Sequence, residues 1–204
     1  MKLYYADTTV AVALIIALKE ADLPCELVRV DFAAGDQTKP EFLAINPRGR
    51  VPALVTKQGI LTETGALLDY IHALAPEAGL VPEDPFQAAK MWEMMYYLAS
   101  TWHVNHAHGG HGERWADNKA SHDDMHRKAP ENMRACCAYV EETLLKGPFL
   151  LGDRFSLADA YLYVVSGWLK DNKIDVADYP KLTALREEME KRASVQAVIA
   201  AGMM

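Results

Sequence analysis

Two neighbouring segments of the chain combine turn-forming residues with groups that could hold a small ligand. Residues 46–54 read Asn-Pro-Arg-Gly-Arg-Val-Pro-Ala-Leu, and residues 61–66 read Leu-Thr-Glu-Thr-Gly-Ala. Asn, Pro and Gly favour a turn, and a Val-Pro bond adopts the cis form at modest cost. The acid and hydroxyl of the second segment stand where a helical pattern begins, and the free N–H groups of a helix start attract anions. These residues suit a site that holds a short peptide by its backbone and carboxylates.

A second candidate site lies near the start of the chain. Asp7-Thr8-Thr9 precedes the apolar run 10–21. The side-chain oxygens of such residues can accept hydrogen bonds from a first helical turn, so the pattern predicts a helix that starts here. The amino end of that helix would carry a partial positive charge that favours an anion.

Four histidines follow one another closely in the second half of the chain: His103, His106, His108 and His111. Spacings of three, two and three residues can indicate a metal site. Two glycines at 109–110, however, end the helical pattern, and no cysteine or carboxylate pattern completes a ligand set. We therefore expect no metal and interpret these histidines as a polar loop; metal binding is the alternative.

The elements that position these residues form two groups. In the first group, patterning predicts strands at 2–5, 25–32, 51–55 and 60–62, and helices at 10–21, 39–45 and 64–75. The first two strands should be parallel, because a helix separates them. The order strand-helix-strand-helix-strand-strand-helix is the thioredoxin-type arrangement.

The second group is helical. Patterning predicts helices at 86–107, 131–146, 160–168, 180–192 and 194–201. Ser156 and Asp159 fit a capping box before the third of these helices, and three prolines within 76–85 indicate a linker. We expect an α+β chain: a thioredoxin-like N-terminal domain (1–76) with a mixed four-stranded sheet, a linker (77–85) and an all-α C-terminal helical domain (86–204).

Composition excludes several classes of protein. The net charge is −7 with no basic stripe, which argues against nucleic-acid binding. The apolar run 10–18 is too short to span a membrane, and the first residues lack a signal-peptide pattern. Three cysteines are too few for a disulfide framework and indicate a reducing compartment. We therefore expect a cytoplasmic protein.

Four motifs in this order resemble the cytosolic glutathione S-transferases, most closely the bacterial beta-type enzymes. They are Lys2–Tyr5, Asn46–Leu54, Glu63–Thr64 and Ser156–Tyr161, and the resemblance covers nearly the whole chain. It implies a transferase that activates the thiol of glutathione, its co-substrate, for attack on an apolar electrophile. It also implies a homodimer.

One segment departs from the beta-type pattern. Beta-type enzymes usually carry a cysteine early in the first helix, after a Pro-Gly-Ala turn, and here Val10 follows Asp7-Thr8-Thr9. In delta- and theta-like relatives a serine hydroxyl faces the glutathione sulfur from this loop, and the matching residue is Thr9. The resemblance therefore implies hydroxyl-type stabilisation of the thiolate by Thr9, with Tyr5 a lesser candidate. The alternative is that Thr9 only caps the helix and Tyr5 only packs.

The resemblance also assigns the residues that bind glutathione. Val51, before the expected cis Pro52, would pair its backbone with the cysteinyl residue of glutathione. Glu63 would bind the γ-glutamyl ammonium, and Thr64 its carboxylate together with helix N–H groups. A simple strand start and a simple helix cap are the alternatives. Arg48 and Lys39 are candidates for the glycyl carboxylate, although exposed cations are usually only solvated.

The remaining candidates lie in the helical part. His103 occupies the place where the beta-type pattern has a histidine near the sulfur, where it could donate to the thiolate or accept its proton; a polar contact between domains is the alternative. Trp168 and Trp102 are candidates for the wall of the second-substrate pocket, although aromatic residues at helical spacing are more often core.

The departure at residues 7–9 leaves a second hypothesis open, a non-catalytic binding protein of this fold that has kept or lost glutathione binding. The sequence also leaves the reaction open among conjugation, peroxide reduction, isomerisation and dehalogenation.

Overall fold

The structure is a computed structural model that describes residues 1–204. Its strands are β1 (Lys2–Tyr5), β2 (Glu26–Arg29), β3 (Ala53–Val55) and β4 (Ile60–Thr62). Its α-helices are α1 (Ala11–Glu20), α2 (Pro40–Leu43), α3 (Thr64–Leu74), α4 (Pro85–Tyr97), α5 (His103–Gly110), α6 (Lys119–Tyr139), α7 (Leu157–Ser166), α8 (Pro180–Glu190) and α9 (Ala193–Ala200). The chain divides into two compact units, residues 1–83 with 190–204, and residues 84–189. None of the helices has the length and apolar character needed to cross a membrane.

The four strands form one mixed sheet in the first unit, in the order β2-β1-β3-β4. β1 pairs parallel with β2 and antiparallel with β3, and β3 pairs antiparallel with β4. The predicted thioredoxin-like arrangement is therefore confirmed, including the parallel first pair. Side chains alternate across β1: Leu3 and Tyr5 are buried, while Tyr4 packs edge-on against Phe42.

The central helix of the first unit is α1. Residues 11–18 are each at most 3% exposed, as expected for a helix that is apolar on every side. α1 contacts β1, α3 and α9. Because α1 follows β1 after only five residues, the connection at 6–10 lies at the carboxyl end of β1 and at the amino end of the helix.

In the second unit, α4 and α5 are joined by a π-helical segment, Leu98–Trp102. The single helix predicted over 86–107 is thus continuous but not α-helical throughout. Asp84 caps α4 by accepting a first-turn N–H at 2.9 Å, and Pro85 takes the first helical position, where its missing N–H costs nothing. π-helical segments are frequent at functional sites, and this one ends directly before His103.

The start of α6 differs from the sequence prediction. The pattern predicts a helix from residue 131, whereas α6 begins at Lys119 and passes through Pro130. Asn118 caps it by accepting from the Ser121 N–H at 2.8 Å. The prediction is wrong because a proline usually ends or kinks a helix, and here the cap and the following turns carry the helix through it.

The predicted capping box at the start of α7 is confirmed. Asp159 accepts from the Ser156 N–H at 2.8 Å and from the Ser156 hydroxyl at 2.7 Å. It also accepts from the Leu150 N–H at 2.7 Å. The carboxylate is fully buried, so it fixes the preceding loop to the helix.

The two compact units leave the domain boundaries open. α9 packs against α1 and belongs to the first unit, although it follows the helices of the second unit in the sequence. The boundaries expected from the sequence (1–76, 77–85 and 86–204) stay a prediction.

Candidate functional site

The loop that carries Thr9 is closed by its own hydrogen bonds. The Thr9 hydroxyl donates to the carbonyl of Ala6 at 2.7 Å, and the Thr9 N–H approaches the same carbonyl at 3.4 Å. Thr8 has a φ of +57°, a left-handed conformation that is unusual for a β-branched residue. No side chain caps α1. The Thr9 side chain therefore does not cap α1 in this structure, because its hydroxyl donates to the carbonyl of Ala6, three residues earlier in the chain.

The first turn of α1 presents free donors. The N–H groups of Val12 and Ala13 bond to the carbonyls of Thr9 and Val10, both at 3.1 Å. The N–H groups of Val10 and Ala11 bond to no carbonyl of the chain, as is usual for the first residues of a helix. Together with the helix dipole they make this end of α1 favourable for an anion.

Tyr5 ends β1 next to this loop. It is only 7% exposed. Burial raises the pKa of its phenol, and the nearby Asp7 carboxylate raises the pKa further, while Arg29 partly offsets them. Arg29 itself donates from Nε to Asp7 at 2.6 Å. Tyr5 therefore stays protonated at neutral pH and can act only as a hydroxyl, not as a phenolate base.

Residues 46–52 are organised by Asn46, which is buried. Its amide donates to the carbonyl of Arg50 at 2.7 Å, and its amide oxygen accepts from the Arg48 N–H at 3.1 Å. The bond between Val51 and Pro52 is cis, as the sequence predicts. The sequence motifs predict no separate role for Asn46. Its signal was the Asn-Pro pair, since an Asn side chain often bonds the backbone two residues on.

Glu63 has a φ of +68° and stands directly before α3. Its exposed carboxylate forms an ion pair with Arg48. A positive φ in a residue other than glycine costs about 1–3 kcal/mol and is concentrated at functional sites. The backbone of Glu63 is therefore strained, and its side chain does not cap α3.

Thr64 and Lys39 differ in their surroundings. Thr64 is buried as the first residue of α3. Lys39 lies before α2 and donates from Nζ to Asp36 at 2.6 Å. This hydrogen bond raises the pKa of Lys39. Both cations proposed for the glycyl carboxylate, Arg48 and Lys39, thus already have a carboxylate partner within the chain.

The register of the sheet places most of these residues at one end of it. Tyr4 pairs with Ala53, and Ala53 pairs with Thr62. The end of β1, the start of β3 and the end of β4 therefore meet at the same edge of the sheet. The loop at 6–9, the cis pair at 51–52 and the helix start at 63–64 follow or precede these strand ends directly.

The second unit contains a stack of two imidazoles around Trp168. The His106 ring stacks on the indole with 4.8 Å between ring centroids, and the His103 ring meets it edge-on at 4.9 Å. The amide nitrogen of Asn172 lies 2.8 Å from His106 Nδ1. An amide N–H₂ can only donate, so His106 carries its proton on Nε2. Burial lowers the pKa of His106, which keeps it neutral.

The other histidines have separate partners. His108 packs against Trp115, with 4.2 Å between ring centroids, and His111 lies 3.3 Å from a Glu113 oxygen. No group of three or more His, Cys, Asp or Glu side chains could hold a metal ion. Trp102 is fully buried, and its indole N–H has no hydrogen-bond partner. Burial favours a core role for Trp102, and its place in a pocket wall stays a prediction.

Comparison with known proteins identifies the family. Residues 1–73 match the family model of the glutathione S-transferase N-terminal domain, and residues 113–202 match that of the C-terminal domain. The chain belongs to the cytosolic glutathione S-transferase family. It is 30% identical to glutathione S-transferase GST-4.5 of Xanthomonas campestris pv. campestris over 98% of both chains.

Two further relatives of this glutathione S-transferase show what the family contains. A glutathione transferase homologue from Sulfitobacter, solved with bound glutathione, is 55% identical, with a TM-score of 0.97 over 100% of this chain and 98% of the other. The disulfide-bond oxidoreductase YfcG of Escherichia coli is 30% identical over 98% of this chain and 94% of its own. Two relatives that are each 30% identical to this chain, GST-4.5 and YfcG, thus carry the names of different activities.

Proposed function

We propose that this chain is a glutathione transferase that binds glutathione at the edge of the sheet formed by the ends of β1, β3 and β4. The observation that carries the proposal is the full-length likeness, 55% identical, to a chain with bound glutathione. The free N–H groups at the amino end of α1 support it, because they lie at the same edge as the cis pair and Glu63.

Each binding residue has a distinct task in this proposal. The backbone of Val51 pairs with the cysteinyl residue of glutathione as one more strand would. Glu63 binds the γ-glutamyl ammonium, and Thr64 binds the γ-glutamyl carboxylate with the first N–H groups of α3. Arg48 gives up part of its ion pair with Glu63 and binds the glycyl carboxylate of glutathione instead. Lys39 is a second cation for the same carboxylate.

Thiol activation rests on the amino end of α1. The sulfur loses its proton and its lone pair then attacks the electrophile, so a stabilised thiolate is the reactive species. Val10, at the position of the beta-type cysteine, has a buried apolar side chain that forms no disulfide. The donors for the sulfur are therefore the first-turn N–H groups and the Thr9 hydroxyl. From the family resemblance we assign the thiol proton to His103 and the wall of the second-substrate pocket to Trp168 and Trp102.

Titration calorimetry with glutathione tests binding. We expect a Kd below about 1 mM, which is a binding free energy more favourable than about −4 kcal/mol. Glu63→Gln should weaken binding several-fold, because it removes the charge that holds the ammonium. Glu26→Gln is the matched control, since Glu26 is similarly exposed and pairs with Lys2 at 3.1 Å. Absence of binding at several millimolar would reject the proposal.

The ultraviolet absorbance of the thiolate separates an enzyme from a binding protein. An enzyme should hold bound glutathione as thiolate at pH 7, whereas a non-catalytic binder should leave its thiol pKa near that of a free thiol, about 8.5. The proposal also includes a homodimer in the cytoplasm, as the family resemblance implies. Sedimentation velocity should then give twice the 22.7 kDa of the chain.

A further inference from the structure

α9 runs antiparallel to α1 and is anchored at both ends of that helix. At one end, Glu20 accepts from Arg192 Nε at 2.8 Å and Nη2 at 2.5 Å, and also from the Ser194 hydroxyl. Only 14% of the Glu20 side chain is exposed. Burial alone would raise the pKa of Glu20, but the hydrogen bonds from Arg192 and Ser194 outweigh it and lower the pKa. A charged carboxylate thus fixes the start of α9.

At its other end α9 finishes in a Schellman motif. Gly202 has a φ of +69°, its N–H bonds to the Ile199 carbonyl at 2.9 Å, and the Met203 N–H bonds to the Val198 carbonyl at 3.0 Å. This turn, residues 202–203, directs the Met203 carbonyl at the N–H of Thr8, 2.9 Å away. The end of α9 therefore reaches the loop before α1.

Thr8 depends on such support. A left-handed φ costs about 1–2 kcal/mol for a residue with a Cβ, and more for a β-branched one. Strained conformations persist only where surrounding contacts determine them. The Met203 carbonyl bonds the N–H of Thr8, and Thr9 closes the other side of the loop on Ala6.

We propose that the 202–203 turn is a positioning element for Thr9: the Met203 carbonyl holds Thr8 in its left-handed conformation and so sets where the Thr9 hydroxyl and the first N–H groups of α1 point. The consequence for the thiol rests on the function proposed above. The docking of α9 through Glu20 determines where the carbonyl lies. A contact distant in sequence thereby controls the ionisation of bound glutathione.

The test is Gly202→Val. A Cβ at Gly202 meets no atom within 4 Å, so the substitution acts mainly through the left-handed backbone conformation, which a β-branched residue disfavours. Gly152→Val is the matched control, because Gly152 also has a left-handed φ, +102°, and open space around it. Thermal melting of both variants checks that they fold. Two properties are then measured: hydrogen exchange of the Thr8 N–H and the pKa of bound glutathione.

In Gly202→Val we expect Thr8 exchange to rise about tenfold, the equivalent of one hydrogen bond, and the thiol pKa to rise. Gly152→Val should change neither. In a Thr8→Gly background, Gly202→Val should no longer raise the thiol pKa, because glycine adopts a positive φ without help. The double variant also serves as a test if Gly202→Val alone is unstable. A general loss of structure would raise the thiol pKa in the double variant too, whereas a loss of Thr8 positioning would not.

Two results would overturn the proposal. One is unchanged exchange at Thr8; the other is faster exchange with an unchanged thiol pKa. If the wild-type chain binds no glutathione, the proposed function fails separately. The NMR chemical shifts of the Thr8 and Thr9 amides, measured without glutathione, then test the positioning role. A change in these shifts in Gly202→Val but not in Gly152→Val supports it, and no change in Gly202→Val rejects it.

Discussion

Replacing Thr9 by valine removes one hydroxyl and almost nothing else. The two side chains have nearly the same shape, and Thr9 is only partly buried. In the structure the Thr9 hydroxyl donates a hydrogen bond to the Ala6 carbonyl, with 2.7 Å between the two oxygens. The variant therefore removes a hydroxyl that the Ala6 carbonyl and the sulfur of bound glutathione would compete for.

The competition determines the size of the effect. A hydrogen bond to a neutral acceptor contributes about 0.5–1.5 kcal/mol, and one to a charged acceptor about 1.5–3 kcal/mol. When the thiol ionises, the Thr9 hydroxyl exchanges its hydrogen bond to the neutral Ala6 carbonyl for one to the charged sulfur. This exchange stabilises the thiolate by about 1 kcal/mol. Because one pKa unit is about 1.4 kcal/mol, Thr9→Val should raise the pKa of bound glutathione by about 0.7 units. Without competition from Ala6 the rise would be between about one and two units.

The assay is the thiolate absorbance of bound glutathione as a function of pH, in wild type, Thr9→Val and Thr9→Ser. Thr9→Ser keeps the hydroxyl and should keep the wild-type pKa. Thr183→Val is a control for stability, because the Thr183 hydroxyl also donates to a backbone carbonyl, that of Val176, at 2.9 Å. An unchanged thiol pKa in Thr9→Val would show that the Thr9 hydroxyl does not stabilise the thiolate, and the reasoning on the hydroxyl would be wrong.

Three further outcomes are expected. Asn46→Ala should raise the Kd for glutathione about tenfold with little change in the thiol pKa, because it loosens residues 46–50 and not α1; titration calorimetry measures the Kd. Glu20→Gln should lower the free energy of unfolding at pH 7, measured by urea unfolding, by about 2 kcal/mol. This is less than the cost of breaking a fully buried ion pair, because both side chains are partly exposed. Since the folded pKa of Glu20 is lowered, its contribution is complete above the unfolded pKa and is lost as pH falls through the folded pKa, so wild type and variant should converge in acid. His106→Ala should alter kcat for the electrophile but leave the Kd for glutathione unchanged, whereas His108→Ala should alter neither.

The elements of the first unit were predictable because their signals are local. The apolar run of α1, the β-prone strands and the turn at 58–59 each depend on neighbouring residues. The capping box of α7 was predictable for the same reason. The start of α6 was not, because the rule that proline ends a helix has exceptions that only the surrounding turns decide.

The candidate site was predictable in part. The cis pair and the helix start after Glu63 follow from a motif of about twenty residues. The ion pair of Arg48 with Glu63 does not, because exposed side chains at that separation have many possible partners. The stack of His103, Trp168 and His106 joins residues more than sixty positions apart, and no periodicity within one helix contains that information.

The loop at 6–9 shows why a motif alone does not decide how a thiol is activated. The residue types at 7–9 are compatible with a helix cap, and the structure instead bonds the Thr9 hydroxyl to Ala6. In that arrangement Thr8 has a positive φ, and its N–H bonds to the carbonyl of Met203, close to the other end of the sequence. A change in α9 that leaves residues 7–9 intact should therefore shift the thiol pKa. Chains with the same three residues but a differently docked α9 should bind glutathione with different thiolate fractions at the same pH.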